Sequence, residues 1–257
     1  MSRDLFLEER RRQVLAKVKD AGRVSVAELS QEFGVSEVTI RLDLQALAER
    51  NLILRTHGGA VLADTNALEG ALAFRQQQQV QEKVRIGQAG AAMVADGDAI
   101  ALDSSSTALA VAMHLKNHRH LTIVTNSLAI GHEMLDAPGV NLVMSGGRLR
   151  REMASLVGID SFDTLRKFNL QIGFFGAHGI TVEDGLTDVS AEEAEVKQRL
   201  ISMCRKVVAV LDATKWGRVG LISFVPIERV DTVITDRHVP AEQIDQVRML
   251  GKDILLV

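Results

Sequence analysis

Cysteine is almost absent from this chain of 257 residues, and it contains no long apolar run. The single cysteine, Cys204, excludes an internal disulfide framework and any cysteine-based zinc cluster, and it suits a reducing compartment. No apolar run approaches the ~18 residues of a membrane helix, and no apolar segment of a signal peptide follows the charged N-terminus. No two histidines have the spacing of metal ligands. We therefore expect a cytoplasmic protein with no membrane segment, no bound metal and no cofactor.

A strong net charge is also lacking, since the formal net charge is −3 and the pI is near 6.2. Such a chain does not coat nucleic acid indiscriminately, so any binding of that kind has to rest on a local surface. Cations are concentrated in the first 24 residues, where they can lie along a phosphate backbone or form an ordinary solvated helix face interleaved with acids. These cations are Arg3, Arg10, Arg11, Arg12, Lys17, Lys19 and Arg23. The length and the 46% apolar content predict one small domain and one full-sized domain.

Two helices with a tight turn between them are predicted in the small domain. Ser25 and Glu28 have the spacing of a capping box, which starts the first helix. Gly34 tolerates a positive φ, so the chain turns there, and Ser36 is a good N-cap for the second helix. A helix, a short turn containing glycine and a second helix make a helix-turn-helix.

The outward face of the second helix has the composition of a DNA-reading surface. On a helical wheel Ile40, Leu44 and Leu47 fall on the buried side. In the major groove an Arg side chain can fork onto guanine, Gln can read adenine, and apolar side chains can touch thymine methyl groups. The candidate DNA-contacting residues of the two helices are Ser25, Ser36, Glu37, Val38, Thr39, Arg41, Leu42 and Gln45.

A glycine-rich hairpin is predicted after these helices. The runs LILRT and AVL flank His57, Gly58 and Gly59, which is typical of a tight β-hairpin. Such a hairpin would be a wing that places Arg55, His57 and Gly58 near phosphates or the minor groove. An amphipathic helical pair is also a common packing unit, but the order of cap, turn, outward face and wing favours DNA binding.

The run from residue 35 to 59, especially VSEVTIRLDL followed by RTHGGA, resembles the signature of the winged helix-turn-helix of DeoR-type bacterial transcription regulators. Position 42, often basic or polar in such proteins, is Leu here. We therefore expect Leu42 and Val38, one turn apart, to contact a thymine-containing step. We assign residues 1–62 to a winged helix-turn-helix domain, 63–80 to a polar, alanine-rich linker and 81–257 to an effector domain.

The larger domain alternates short apolar runs with helical stretches. AIAL, LTIV, NLVM, LQIGFF, KVVAVL, DTVIT and DILLV have the composition of buried strands, and a helix is predicted around residues 82–94. This alternation predicts βαβ units, a mostly parallel sheet and an α/β fold. In such sheets ligands bind beyond the carboxyl ends of the strands.

Small, hydroxylated or cationic side chains follow five of these predicted strands. The serine-rich run 103–107 opens a helix, and its hydroxyl and backbone donors have the composition of a phosphate cradle. Each pattern alone is typical of an N-cap, a turn or a solvated face, but their coincidence favours a small phosphorylated polyol as ligand. The candidate effector-binding residues are Asp103, Ser104, Ser105, Ser106, Thr107, Asn126, Ser127, Gly146, Gly147, His178, Lys197 and Lys215.

The motifs LDSSST, VTNSL, SGG, GAHGI with GLT, EAEVKQ and LDATKWG stand in the order of the DeoR-family C-terminal sensor domain, which the rest of the chain resembles. That fold is Rossmann-like and related to ribose-5-phosphate isomerase, which implies a sugar phosphate as ligand. The resemblance implies that residues 104–107 hold the phosphate and that Asn126, Gly147, His178 and Lys197 surround the carbohydrate. Ser105 stands where a glycine is frequent, so its side chain is expected to narrow the cradle.

An isomerase acting on a phosphorylated carbohydrate is the alternative function. Aldose–ketose isomerisation needs a carboxylate that moves a proton and a cation that stabilises the enediolate, and Lys197 could supply the cation. The GAHGI loop, where the isomerase places its acidic residues, has no Asp or Glu, and Glu183 and Asp184 come later in a predicted turn. We therefore favour a regulator that binds the metabolite without converting it, and a structural or partner-binding module ranks third.

The expected regulator is a homo-oligomer, either a dimer or a tetramer, that binds repeated half-sites on double-stranded operator DNA. By the family default it is a repressor of a sugar or polyol utilisation operon. A phosphorylated sugar or polyol then releases it, and the linker passes the change to the winged helices.

Overall fold

The computed structural model describes residues 2–49, 52–56, 58–62, 71–158 and 165–257. The chain divides into two compact units, Met1–Phe74 and Arg75–Val257. Within the described ranges, no helix is both long enough and apolar enough to cross a membrane.

The first unit combines a helix-turn-helix with a small antiparallel sheet. Its helices are α1 (Ser2–Ala21), α2 (Val26–Phe33) and α3 (Glu37–Glu49), and its strands are β1 (Arg23–Ser25), β2 (Ile53–Thr56) and β3 (Gly59–Leu62). The strand order is β1-β3-β2. The predicted helices and the predicted hairpin are confirmed, and β1 is an addition that the sequence did not indicate.

Local sequence signals explain where these helices begin and end. The Ser25 side chain accepts a hydrogen bond from the Glu28 backbone N–H, and the Glu28 carboxylate accepts one from the Ser25 N–H, each at 3.1 Å. This is the predicted capping box. Gly34 follows α2 with φ of 63°, which turns the chain towards α3.

The second glycine of the wing is required by a close contact with β1. Gly59 pairs with Ser25 across the antiparallel ladder. A Cβ atom at Gly59 would lie 1.9 Å from the backbone oxygen of Val24, so no other residue fits without displacing a strand. The wing is therefore held against the start of α2.

The second unit is built on a parallel sheet. Among the described residues, seven strands form this sheet in the order β15-β14-β12-β9-β4-β5-β6. They are β4 (Ala99–Leu102), β5 (Leu121–Thr125), β6 (Val140–Met144), β9 (Leu170–Phe175), β12 (Cys204–Val210), β14 (Thr232–Thr235) and β15 (Asp253–Leu256). Every apolar run that was predicted to be a strand is one of these, and the α/β fold with a parallel sheet is confirmed.

Helices cover the sheet, and two separate apolar clusters lie in the unit, one containing Phe174 and the other Phe175. The helices are α4 (Leu72–Gln77), α5 (Val80–Ala91), α6 (Ser106–Met113), α7 (Leu128–Glu133), α8 (Ala191–Ser202) and α9 (Ala241–Met249). The helix predicted around residues 82–94 is α5. The short helix α4 lies inside the segment expected to be a linker and spans the division between the units.

Two small antiparallel sheets complete the second unit. One has the order β10-β11-β13, and the other is the hairpin β7-β8. Their strands are β7 (Arg148–Arg150), β8 (Ser155–Val157), β10 (Gly179–Thr181), β11 (Gly185–Asp188) and β13 (Ile222–Val225). These short strands were not predicted from the sequence, and they bring further side chains to the carboxyl edge of the large sheet.

Candidate functional site

The recognition helix α3 exposes two apolar side chains on its outer face. Ile40, Leu44 and Leu47 are buried in the core of the first unit. On the opposite side Val38 is 63% exposed and Leu42 is 59% exposed. They lie four residues apart, hence one above the other on the same face. The structure thus separates the faces of α3 as the helical wheel predicted.

Polar candidates flank this apolar pair. Arg41 and Gln45 are exposed, and Arg41 Nη2 lies 2.7 Å from Glu37 Oε2 in an exposed ion pair. An exposed pair of this kind contributes only a few tenths of a kcal/mol, so the guanidinium can leave it for a base at little cost. At the start of α3, Ser36 Oγ accepts a hydrogen bond from the Thr39 N–H at 3.2 Å. Ser36 and Thr39 therefore cap the helix.

Two of the N-terminal cations face a buried carboxylate. Asp43 is fully buried, and its oxygens lie 2.6 Å from Arg10 Nε and 3.1 Å from Arg11 Nε. This ion triad joins α1 to the recognition helix. Arg10 and Arg11 therefore have a packing role, and contact of the N-terminal cations with phosphates stays a prediction. Lys17 also has an intramolecular partner, Glu32.

The remaining candidates of the first unit lie around the wing. The side chain and the N–H of Ser25 are both used in the capping box. Gly58 is exposed, and its carbonyl oxygen accepts a hydrogen bond from the Val26 N–H at 2.8 Å. The backbone of Arg55 belongs to β2, and His57 lies outside the described residues.

In the second unit, Lys197 of α8 is enclosed by oxygen atoms. Its Nζ lies 2.7 Å from Asp188 Oδ2, 2.7 Å from the Gly176 carbonyl oxygen and 3.1 Å from Asp103 Oδ2. The Phe224 ring covers the ammonium, with its centroid at 4.7 Å. Burial alone would lower the pKa of Lys197, but Asp188 and Asp103 raise it above its ordinary value. The lysine is therefore a permanent cation whose donors are used within the protein.

The two aspartates next to Lys197 also have backbone partners. Asp103 accepts hydrogen bonds from the Ser105 and Gly176 N–H groups, each at 3.0 Å. Burial would raise the pKa of Asp188, but the charge and hydrogen bond of Lys197 lower it below the ordinary value. Both carboxylates are consequently held in defined positions, one after β4 and one at the end of β11.

Glu193 of α8 is the second centre of the site. This buried carboxylate accepts hydrogen bonds from Ser104 Oγ at 2.9 Å and from Ser155 Oγ at 2.5 Å. It also lies 3.4 Å from Asn126 Nδ2 and 3.5 Å from Arg150 Nη1. One side chain thereby connects the loops after β4 and β5 with the β7-β8 hairpin.

The hydroxyl cluster after β4 is buried and opens α6. Ser105 is the N-cap, and its Oγ accepts a hydrogen bond from the Ala108 N–H at 3.0 Å. A Cβ atom at Gly176 would lie 2.5 Å from both Cβ and Oγ of Ser105, so the glycine makes room for this serine. Ser106 and Thr107 follow in the first turn. Ser127 caps α7 in the same way, accepting from the Ile130 N–H at 3.3 Å.

The other candidates of the second unit lie on surrounding segments. Gly146 and Gly147 have φ of 72° and 109° in the turn before β7. His178 is half-buried, and its N–H donates to the Thr187 carbonyl at 2.9 Å. Lys215 lies after β12, where its charge acts on Lys83. Asp103 thus contacts Lys197, while Ser104 and Asn126 contact Glu193 on the same helix.

Arg75 of α4 was missed by the sequence analysis. The carboxylates of Asp188, Asp103 and Glu193 all act on its guanidinium, which places it at the same site, and burial lowers its pKa. Within the described part of the chain, two buried polar atoms near Glu193 have no hydrogen-bond partner: Arg75 Nε and Asn126 Oδ1. Arg75 stands alone in a polar, glutamine-rich segment, so no sequence motif indicated that it belongs to this site.

The chain matches two family models that together cover most of its length. Residues 10–66 match the DeoR-like helix-turn-helix domain, and residues 78–237 match the DeoR C terminal sensor domain. The glycerol-3-phosphate regulon repressor of Escherichia coli K12 is 35% identical over 90% of this chain and 92% of its own length. The transcriptional regulator GolR of Listeria innocua is 34% identical over 91% and 92%.

Solved structures resemble the chain more distantly. The sorbitol operon regulator SorC from Klebsiella pneumoniae has a TM-score of 0.42 and 11% identity, covering 93% of this chain and 99% of that one. Ribose 5-phosphate isomerase A from Methanocaldococcus jannaschii has a TM-score of 0.40 and 16% identity, with 52% and 53% covered.

Proposed function

Since the chain belongs to the DeoR family of transcription regulators, we propose that it represses a sugar or polyol utilisation operon and leaves the operator when a phosphorylated sugar binds its second unit. The observation that carries this proposal is that one chain contains two candidate binding sites. One is the capped helix α3 with its outward face. The other is the buried polar cluster at the strand ends of the second unit.

Operator reading is assigned to the outward face of α3. Val38 and Leu42 lie one helical turn apart and present methyl groups on the same face as the exposed Arg41 and Gln45. An apolar pair of this kind suits thymine methyl groups, and the two polar side chains suit purine edges. We assign backbone contacts to Ser36, Thr39 and the wing, which fix the register of α3 in the groove.

Effector binding is assigned to the cluster around Lys197 and Glu193. Helix α6 directs N–H groups and its positive end towards the serine-rich run, which favours a phosphate group there. The buried acceptor Asn126 Oδ1 requires a donor, and a sugar or polyol hydroxyl supplies one. A phosphorylated sugar therefore satisfies both ends of the site.

We infer that the site does not carry out isomerisation. The fold brings three buried carboxylates there, from Asp103, Asp188 and Glu193, which inspection of the GAHGI loop alone did not reveal. Each of them already accepts protein hydrogen bonds, and Lys197 or Arg150 neutralises them. None is therefore poised as a general base. Turnover of a bound sugar phosphate would favour the isomerase alternative.

We propose that the regulator acts in the cytoplasm as a dimer or tetramer, because two recognition helices on repeated half-sites supply the affinity that one small unit lacks. The test is a gel-shift assay with DNA from upstream of carbohydrate genes, titrated with phosphorylated sugars and polyols. Linkage requires the operator to weaken effector binding by the factor by which effector weakens operator binding, typically about 5- to 150-fold. Equal effector affinity with and without operator would contradict the coupling.

A further inference from the structure

We propose that Arg75, at the start of the second unit, binds the anionic group of the effector and thereby makes the effector act on the chain segment that follows the DNA-binding unit. The inference rests on the proposed function, because it names the residue through which the same site recognises its ligand. The ligand class is an anion, phosphate in the first instance, that carries a neighbouring hydroxyl group.

The obvious cation of the site is not available for this role. Three acceptor oxygens at 2.7–3.1 Å and an aromatic ring surround the Lys197 ammonium. Breaking these contacts would leave Asp103 and Asp188 as buried carboxylates without a cation, which is costly. An incoming anion therefore needs a different partner, since the Lys197 ammonium already has three acceptors within the protein.

Arg75 has the donor that Lys197 lacks. Its Nε is buried and has no acceptor among the described residues, and Nη2 has only the weak acceptor Met153 Sδ at 3.6 Å. A buried guanidinium N–H without an acceptor is unfavourable, so a ligand that supplies an acceptor at this point is stabilised. Phosphate oxygens match the guanidinium fork and supply that acceptor.

The second unpartnered atom defines the rest of the ligand. Asn126 Nδ2 donates to the Leu156 carbonyl oxygen and to Glu193, whereas its buried Oδ1 has no donor among the described residues. Arg75 Nε offers a donor and Asn126 Oδ1 offers an acceptor, and both lie in the field of Glu193 or in contact with it. A phosphorylated sugar or polyol presents the complementary pair, an anionic oxygen and a hydroxyl.

The position of Arg75 in the chain gives this contact a regulatory meaning. Arg75 lies on α4, directly after Phe74, where the first unit ends. The buried Lys83 ammonium donates to the carbonyl oxygens of Arg75 and Gln78, the latter at 2.6 Å, and so holds the end of α4. An anion that binds the Arg75 guanidinium consequently acts on a helix whose C-terminal part is held by Lys83.

The test uses the full-length protein and inorganic phosphate as probe. Thermal unfolding is followed in increasing sodium phosphate and in sodium chloride of equal ionic strength, for the wild type, Arg75→Gln and Arg85→Gln. Arg85 is the matched control, because it is an exposed arginine of α5 paired with Glu82. We expect the phosphate affinity derived from the midpoints to fall about 10- to 100-fold in Arg75→Gln and to be unchanged in Arg85→Gln.

Three outcomes would overturn the inference: equal phosphate affinity of Arg75→Gln and the wild type, equal losses in both variants, or no phosphate effect on the wild type. None of them touches the proposed function, which is judged separately by operator binding and by the phosphorylated-sugar titration. If Arg75→Gln does not fold, the wild type and Arg75→Lys decide the matter. The arginine Nε–H NMR signal that is absent from Arg75→Lys should shift on addition of phosphate, and an unshifted signal contradicts the assignment.

Discussion

Truncation of Leu42 on the recognition helix tests whether an apolar side chain reads a thymine methyl group. Leu42 is 59% exposed, and Leu42→Ala removes this side chain without disturbing the buried face of α3. Alanine also has the higher helix propensity, so folding should be unaffected. Any change in operator binding then reports the interface with DNA.

The expected size follows from the exposed surface. Complete burial of a leucine side chain contributes about 1.5–3 kcal/mol, and the fraction still exposed at Leu42 scales this to about 1–2 kcal/mol. Because about 1.4 kcal/mol corresponds to a factor of ten, operator affinity should fall about 5- to 30-fold. The loss should be confined to one base-pair position, where discrimination decreases.

The assay combines the protein variant with a DNA variant. A preferred duplex is first selected from random sequences with wild-type protein, and each thymine is then replaced by deoxyuridine, which lacks the methyl group. We expect one replacement to weaken the wild type but not Leu42→Ala, as measured by fluorescence anisotropy. Leu135→Ala is the control, since Leu135 is 74% exposed in the second unit. A uniform loss over all sequences, or no loss, would refute the assignment.

Three further predictions concern buried charges. Asp43→Asn should lower the free energy of unfolding by about 3 kcal/mol in urea denaturation, whereas Arg10→Gln should leave the salt slope of operator binding unchanged, because this guanidinium faces Asp43 and no phosphate. Lys197→Ala should destabilise the second unit by about 3–5 kcal/mol, because two carboxylates lose their cation, and a loss below 1 kcal/mol would contradict the described contacts. Burial lowers the pKa of Lys83 to about 8, so between about pH 8 and 10 the unfolded chain binds more protons than the folded one and stability contributed by this residue rises with pH. That rise should be absent from Lys83→Met when urea denaturation is compared at the two ends of this range.

The parallel sheet could be predicted because its strands are almost continuously apolar. The central strands β4, β5, β9, β12 and β14 are largely buried, and buried parallel strands have this composition, whereas the edge strands β6 and β15 are partly exposed. The strands β10, β11 and β13 could not be predicted in this way. They are three or four residues long, and their pairing depends on contacts such as Leu186 with Val225, far apart in sequence. The strand β1 escaped prediction for the same reason.

The candidate site could be predicted in outline only. The rule for parallel sheets predicted Asp103 and Asn126 at one edge, and the structure joins Asp103 to Lys197 and Asn126 to Glu193 of the same helix. Sequence spacing could not show that the Lys197 ammonium is surrounded by acceptors, because these come from three separate segments. Sequence spacing also could not show that Arg75, which lies in a segment expected to be a linker, interacts with the carboxylates of Asp188 and Glu193, more than 100 residues away.

The buried Glu193 carboxylate has a practical consequence for anyone who wishes to convert this regulator into a biosensor for another metabolite. Because this glutamate holds the loops after β4 and β5 and the β7-β8 hairpin, its substitution would loosen all three segments simultaneously. A library of variants with altered ligand specificity should instead change half-buried positions around the site, such as His178, and leave Glu193 unchanged.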